Sequence, residues 1–289
     1  MKVCQTNPRR AFTLIELLVV IAIIALLMGI IVPSLNKAKV AAQKTICVNN
    51  IRSQALGVRL YAEQNDSIVP YNVGGNWLWD MSFYSTNQIS QLADIDHRSF
   101  FCPVNKLKKS DDARFWQFSW VDGPEPEAPK SRPDGGPIPL ADESKLTVTR
   151  QKELFRVMSY VYMFDRLDTA GTSMYANFTD SNFPTKPKPV WIKKMSDLRN
   201  ASGTVLIADA TISQALNDNF DKITAGGLYQ KYGIFDMSNH LSAKRSGTGT
   251  RGLVPSGGNI AFADGHVVWR EYPDELKCRL SGWGPYFYW

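Results

Sequence analysis

From Phe12 to Val32 the chain reads FTLIELLVVIAIIALLMGIIV, 21 positions with one charged residue, Glu16. A helix rising about 1.5 Å per residue makes that stretch roughly 30 Å long, the thickness of a bilayer's hydrocarbon core. Pro33 follows, removing one backbone donor and crowding the carbonyl four residues back. Ser34 to Gln64 then contains no proline and a single glycine, Gly57. Within it Val48, Ile51, Ala55, Val58 and Ala62 recur at spacings of three and four, an apolar stripe that leaves Lys37, Lys39, Lys44, Arg52 and Arg59 largely off the face. The pattern predicts one helix from Phe12 to Gln64, kinked at Pro33, whose second half lays its stripe on a globular domain. A coiled-coil arm is the competing reading, and the stripe is too short for several heptads.

After Asn65-Asp66 the periodicity changes. Tyr71 to Trp79 is turn-rich and aromatic, and Met81 to Leu92 fits a short helix. Pro124 to Pro139 holds six prolines and Gly135-Gly136, the signature of an irregular surface loop. Val157 to Phe164 is rich in β-formers, and Thr204 to Asp209 is a short apolar run suited to a central strand. Asn259 to Ala263, Asp264-Gly265 and His266 to Glu271 predict a β-hairpin turning at Asp-Gly. No repeat of 20–50 residues is present. The expected class is α+β, a long helix packed on an antiparallel sheet with long loops.

Composition adds limits. Of 289 residues 44% are hydrophobic and 21% charged, so most of the chain folds. A balance of 33 Lys+Arg against 27 Asp+Glu, +6, is too mild for a nucleic-acid binder. Four cysteines are too few for a disulfide scaffold and lack paired C-x2-C zinc spacing. Lys2, Arg9 and Arg10 precede the apolar run and Met1 to Ala11 has no acidic residue, so the positive-inside rule keeps the N-terminus cytoplasmic and exports the rest. The run is too long for a cleaved secretory signal. Glu16 is the exception: a carboxylate in an apolar helix costs free energy that a plain anchor has no reason to bear, on the order of 2.5–3.5 kcal/mol for Asp at mid-helix and less near an end.

Arg9-Arg10-Ala11-Phe12-Thr13-Leu14-Ile15-Glu16-Leu17-Leu18-Val19-Val20 closely resembles the prepilin N-terminal cleavage and methylation motif of type IV pilins and type II secretion pseudopilins. The resemblance implies cleavage by prepilin peptidase between Ala11 and Phe12, N-methylation of Phe12, and pairing of Glu16 with the free amine of an adjacent subunit. The family usually carries Gly before the cut, where this chain has Ala11. The implied organisation is a cytoplasmic leader (1–11), a membrane-spanning assembly helix (12–32), an extracytoplasmic half-helix (33–64) and a globular pilin-like α+β domain (65–289). Implied partners are prepilin peptidase, other pilin or pseudopilin subunits, an inner-membrane assembly platform and membrane lipid. The implied place is the inner membrane, single-pass, with a periplasmic C-terminal domain.

Gly258 to Trp269 is similar to the end of a processing-associated pilin-like family named for a His, nine residues, then Asp-Gly. The candidates here are His240 and Asp264-Gly265, separated by 23 residues with a Ser/Gly/Arg-rich insertion between Ala243 and Gly258. Cys4 leaves with the leader. An exported body meets an oxidising compartment, so Cys47 and Cys102 either form a bridge pinning the first loop to the helix or persist as half-buried thiols, with Cys278 left over. Asp209, Asp236 and Asp264 are weak candidates for a Ca²⁺ site, which some pseudopilins possess; turn aspartates capping their own backbone are the simpler reading. The tryptophans, Trp77, Trp79, Trp283 and Trp289 among them, line either a binding surface or the core. His97, His240 and His266 show no ligand spacing, and neither a G-x-S-x-G elbow nor a P-loop occurs, so no cofactor and no catalytic set is expected. The reading is a structural pseudopilin-like subunit of a type II secretion or type IV pilus-like filament. The alternative is a membrane-anchored extracytoplasmic binding protein that uses the signal for export only; an anchored hydrolase ranks below both.

Overall fold

The computed structural model describes residues 13–70, 77–108, 116, 146–165, 182–185, 188–221, 223, 236–245, 251–280 and 285–289. The processing positions Ala11 and Phe12, most of the aromatic turn after Tyr71, the Pro124–Pro139 loop and Trp283 lie outside them. The chain divides into two compact units, Met1–Lys44 and Thr45–Trp289.

In the first unit the helix α1 (Leu14–Gln64) begins, and it runs through Pro33. Its apolar side chains from Leu14 to Val32 are exposed, Leu14 at 78% and Ile30 at 66%. One helix here is long and apolar enough to cross a membrane. Next to the proline, Ser34 Oγ donates to Ile30 O at 3.1 Å.

The second unit takes the C-terminal turns of α1 into its core. Cys47, Ile51, Gln54, Ala55, Gly57, Val58, Tyr61 and Ala62 are buried, so the expected stripe is real but shifted: Val48 is only half-buried, and Cys47 and Gln54 take inward positions. The helix ends where Asp66 and Ser67 turn left-handed (φ 51° and 64°). Beyond it come β1 (Asp80–Ser82) and α2 (Phe83–Ala93). Ser82 accepts a hydrogen bond from Ser85 N and so starts α2 two residues later than Met81. Gly57 lets α2 approach α1; a Cβ there would stand 2.8 Å from Ile89 O.

The short helix α3 (Val148–Glu153) leads to β2 (Phe155–Val157) and β3 (Tyr160–Tyr162). The β-rich run through Phe164 thus splits at Met158-Ser159, whose amides go to Trp79 O and Phe100 O instead of one ladder. The remaining strands are β4 (Val205–Asp209), β5 (Thr211–Ser213), β6 (Leu241–Arg245), β7 (Arg251–Pro255), β8 (Gly257–Phe262), β9 (Val267–Glu271), β10 (Cys278–Leu280) and β11 (Tyr286–Tyr288). Among the described residues they form small antiparallel sheets rather than one: β3-β4-β8-β9, β10-β11-β5, β1-β2 and β6-β7. The class is α+β with a long N-terminal apolar helix, consistent with a pilin-like fold.

As expected, β4 is central, pairing Tyr160 with Asp209 on one side and Ile260 with Ala208 on the other. The hairpin is β8–β9, with Asn259 opposite Trp269. Its loop holds three residues, Ala263-Asp264-Gly265: Gly265 N bonds to Phe262 O and Phe262 N to His266 O, each at 2.9 Å. Gly265 sits at φ 96°, the left-handed position a three-residue hairpin needs. Arg59 of α1 donates to Asp264 O at 2.7 Å. Trp77, Trp79 and Trp289 are buried, and Trp77 stacks on Trp79 at 5.6 Å; these three serve the core.

Candidate functional site

Four chemistry-bearing side chains from four separate places meet inside the second unit. The inward face of α1 carries Cys47 one turn before Ile51. Cys102 follows a 3₁₀ turn (His97–Phe100) that Asp96 caps through Arg98 N. Asp209 closes β4. His240 is set at φ 53° just before β6. All are within 4% of complete burial. The two sulfurs stand 3.5 Å apart as free thiols. Cys47 Sγ is 3.2 Å from Asp209 Oδ1, and His240 Nε2 lies 3.3 Å from Cys47 Sγ, 3.6 Å from Cys102 Sγ and 3.1 Å from Asp209 Oδ2.

A surrounding layer fixes these groups. Asn259 donates its backbone N–H (2.7 Å) and its amide (2.9 Å) to Asp209 Oδ2, and Asn239 Nδ2 donates to Oδ1 at 2.9 Å. Asn239 is itself held by Ser159 O and by Asn105. Tyr160 Oη lies 3.4 Å from Cys47 Sγ, and the Trp269 and His240 rings pack T-shaped with centroids 5.1 Å apart. Electrostatics follow from burial. Burial, then the Cys102 thiol beside it, pushes the Cys47 thiol well above its usual value, and burial raises Cys102 as well. Burial alone would lower His240, but the Asp209 carboxylate outweighs it and lifts the imidazole to about 10. Burial would likewise raise Asp209, yet His240 and the Asn259 N–H hold it below the ordinary range. With protons alone, the cluster is two neutral thiols beside an imidazolium–carboxylate pair.

The four side chains are thus buried rather than exposed at the surface. The four ligand atoms, all within 4.8 Å of one another, form the described residues' one group suited to a metal ion. The three aspartates considered for Ca²⁺ have separate partners. Asp209 belongs to this cluster. Asp236 pairs with buried Lys108 at 2.8 Å, and Asp264 receives His266 Nδ1 at 2.6 Å in the hairpin loop. Cys278 lies on β10, its thiol directed at Leu280 O (3.7 Å) and pushed up to about 12 by burial.

The long His240-to-Asp-Gly spacing has a structural reason. The inserted residues fold on themselves as the β6–β7 ribbon, Leu241 opposite Pro255. Ser256 N then returns to His240 O at 2.9 Å. Setting aside residues 241–255 leaves eight residues between His240 and Asp264. The insertion extrudes without removing His240 from the hairpin's neighbourhood.

At the other end of α1, Glu16 is exposed and accepts from Thr13 N and Thr13 Oγ1, each at 2.8 Å, while Glu16 N donates to Thr13 Oγ1 at 3.3 Å. This is a reciprocal capping box, a local task for Glu16 that the Thr13-x-x-Glu16 spacing could have revealed. Residues 6–32 match the family model of the prokaryotic N-terminal methylation motif. The chain therefore carries a prepilin-type N-terminal motif. No curated protein matches the chain, and no solved structure does.

Proposed function

We propose that this chain is a structural pilin- or pseudopilin-like subunit, cut between Ala11 and Phe12 by prepilin peptidase and methylated on the new amine. The segment from Phe12 to about Val32 then anchors it in the cytoplasmic membrane, with the body outside the cytoplasm. Subunits assemble through α1 into a filament of the type II secretion or type IV pilus class. One observation carries the reading: residues 6–32 match a methylation motif, and within that span Glu16 is the one charged residue of the apolar run Phe12–Val32. In a staggered bundle Glu16 of one subunit reaches the Phe12 amine of its neighbour, each charge offsetting the other's desolvation. Ala22, Ala25 and Gly29, at spacings of three and four, permit close helix approach.

Processing is the direct test. Mass spectrometry of membrane-extracted protein should find a chain starting at N-methyl-Phe12, 278 of the 289 residues. An intact Met1 terminus overturns the proposal. The alternative, an anchored binding module, draws on a cleft of about 320 Å³ lined by Lys188, Arg270, Arg279 and Trp289. Its three basic side chains suit an anionic ligand.

A further inference from the structure

We infer that Cys47, Cys102, Asp209 and His240 form a structural zinc site that fastens α1 to the sheet of the second unit. Zinc bonds of about 2.3 Å to sulfur and about 2.0–2.2 Å to nitrogen and oxygen set tetrahedral edges of roughly 3.3–3.8 Å between ligand atoms. The five distances above run from 3.1 to 3.6 Å, at or just below that range. Two thiolates exclude calcium, which takes six to eight oxygens; thiolate, imidazole and carboxylate are all zinc ligands, and four of them suit its tetrahedral geometry. Four protein donors and full burial make it a closed site of the structural kind, with no position open for substrate.

The surroundings match what such a centre needs. Zn²⁺ replaces the protons on both thiols and on His240 Nε2, leaving thiolates, a neutral imidazole and a carboxylate. Their total with the ion is one negative charge. The donors from Asn259 and Asn239 on Asp209 stabilise that charge and orient the carboxylate, as outer-layer hydrogen bonds do around bound metals. The geometry also says what the ion does. Cys47 comes from the helix, Cys102 from the first loop, Asp209 from the central strand and His240 from the turn before the ribbon. One ion ties four segments whose nearest pair in sequence is 31 residues apart. Binding then stabilises the body directly, because the unfolded chain has no preformed site.

The test uses the full chain, extracted in detergent with thiols blocked at lysis in one half of the sample. Elemental analysis of the other half should find one zinc per chain. The metal-stripped chain should take up one Co²⁺ with tetrahedral visible bands and a thiolate-to-cobalt charge-transfer band. Cys278→Ser should leave the signal unchanged, and Asn239→Ala should weaken zinc affinity about 10- to 100-fold, the usual effect of losing an outer-layer partner. Cys47→Ser should weaken the charge-transfer band, because only the Cys102 thiolate remains, and an unchanged band overturns the inference; should that variant fail to fold, the wild-type titration decides alone. Recovery of most chains with Cys47 bonded to Cys102 overturns the inference. So does a folded, reduced chain that takes up no Co²⁺.

Discussion

Gln54 is the one polar side chain of α1 that is fully buried, and it offers the sharpest test of how the helix is seated. Its Nε2 donates to Ser99 O at 2.6 Å, and its Oε1 accepts from Tyr162 Oη at 2.5 Å. The helix is thereby tied to the loop before Cys102 and to β3 at one point. Gln54→Leu keeps the volume but strands the Ser99 carbonyl and the Tyr162 hydroxyl. Each stranded group costs about 1–3 kcal/mol. Relief of the amide's own desolvation returns about 1–3 kcal/mol, so the net loss should be about 2 kcal/mol. Tyr162→Phe alone strands only Gln54 Oε1 and should cost about 1–2 kcal/mol. In the double variant both the orphaned hydroxyl and the orphaned Oε1 are gone, so the losses should fall short of additivity by about 2–3 kcal/mol, toward the upper end of the coupling of contacting residues. Urea unfolding of the detergent-extracted chain, followed by fluorescence of the buried tryptophans, measures all four corners of the cycle. Gln54→Leu within about 0.5 kcal/mol of wild type, or strict additivity, would refute the reasoning.

Two smaller predictions concern the same unit. Gly57→Ala should gain up to about 1 kcal/mol of helix propensity, yet its Cβ would meet Ile89 O at 2.8 Å and Ala93 Cβ at 3.2 Å. Overpacking at about 1–3 kcal/mol wins, so thermal unfolding should show a lower Tm; a higher one would mean α2 yields freely. Asp96 is held below its usual value chiefly by the Arg98 side chain, which contacts it at 2.5 Å. Its stabilising effect is therefore present above an unfolded pKa of about 4 and is lost as pH falls through the lower folded value. Asp96→Asn keeps an acceptor for Arg98 N, so the gap between wild type and variant should narrow on acidification, and a constant gap would contradict the assignment.

Local pattern made the long helix, the central strand and the Asp264-Gly265 hairpin legible, because each rests on periodicity or a turn residue within a dozen positions. The partition into small sheets was not legible: β5 pairs with β11 across more than 70 residues, which no local pattern encodes. The pairing of Cys47 with Cys102 was considered from compartment and position. Its extension to Asp209 and His240 was hidden because those ligands stand 162 and 193 residues beyond Cys47, far from any C-x2-C spacing. The antiparallel pairing of Leu241–Arg245 with Arg251–Pro255, which brings Ser256 back to His240, is likewise not written in any local motif. At the N-terminus the reverse holds. The motif is read from sequence alone, and the structure adds the capping box that gives Glu16 a second occupation.

That second occupation decides how assembly is best measured. Glu16→Ala removes both the charge and the cap, whereas Glu16→Gln keeps a side chain that serves in a capping box and removes only the charge. The measurement is the fraction of cleaved, membrane-inserted chain that co-purifies with filaments or pilin-like partners, in wild type and in Glu16→Gln. If Glu16 pairs with a neighbour's Phe12 amine, Glu16→Gln is processed and folded like wild type but drops out of the assembly as completely as Glu16→Ala. Glu16→Gln assembling as well as wild type would reduce Glu16 to a helix cap and leave the chain an anchored domain rather than a filament subunit.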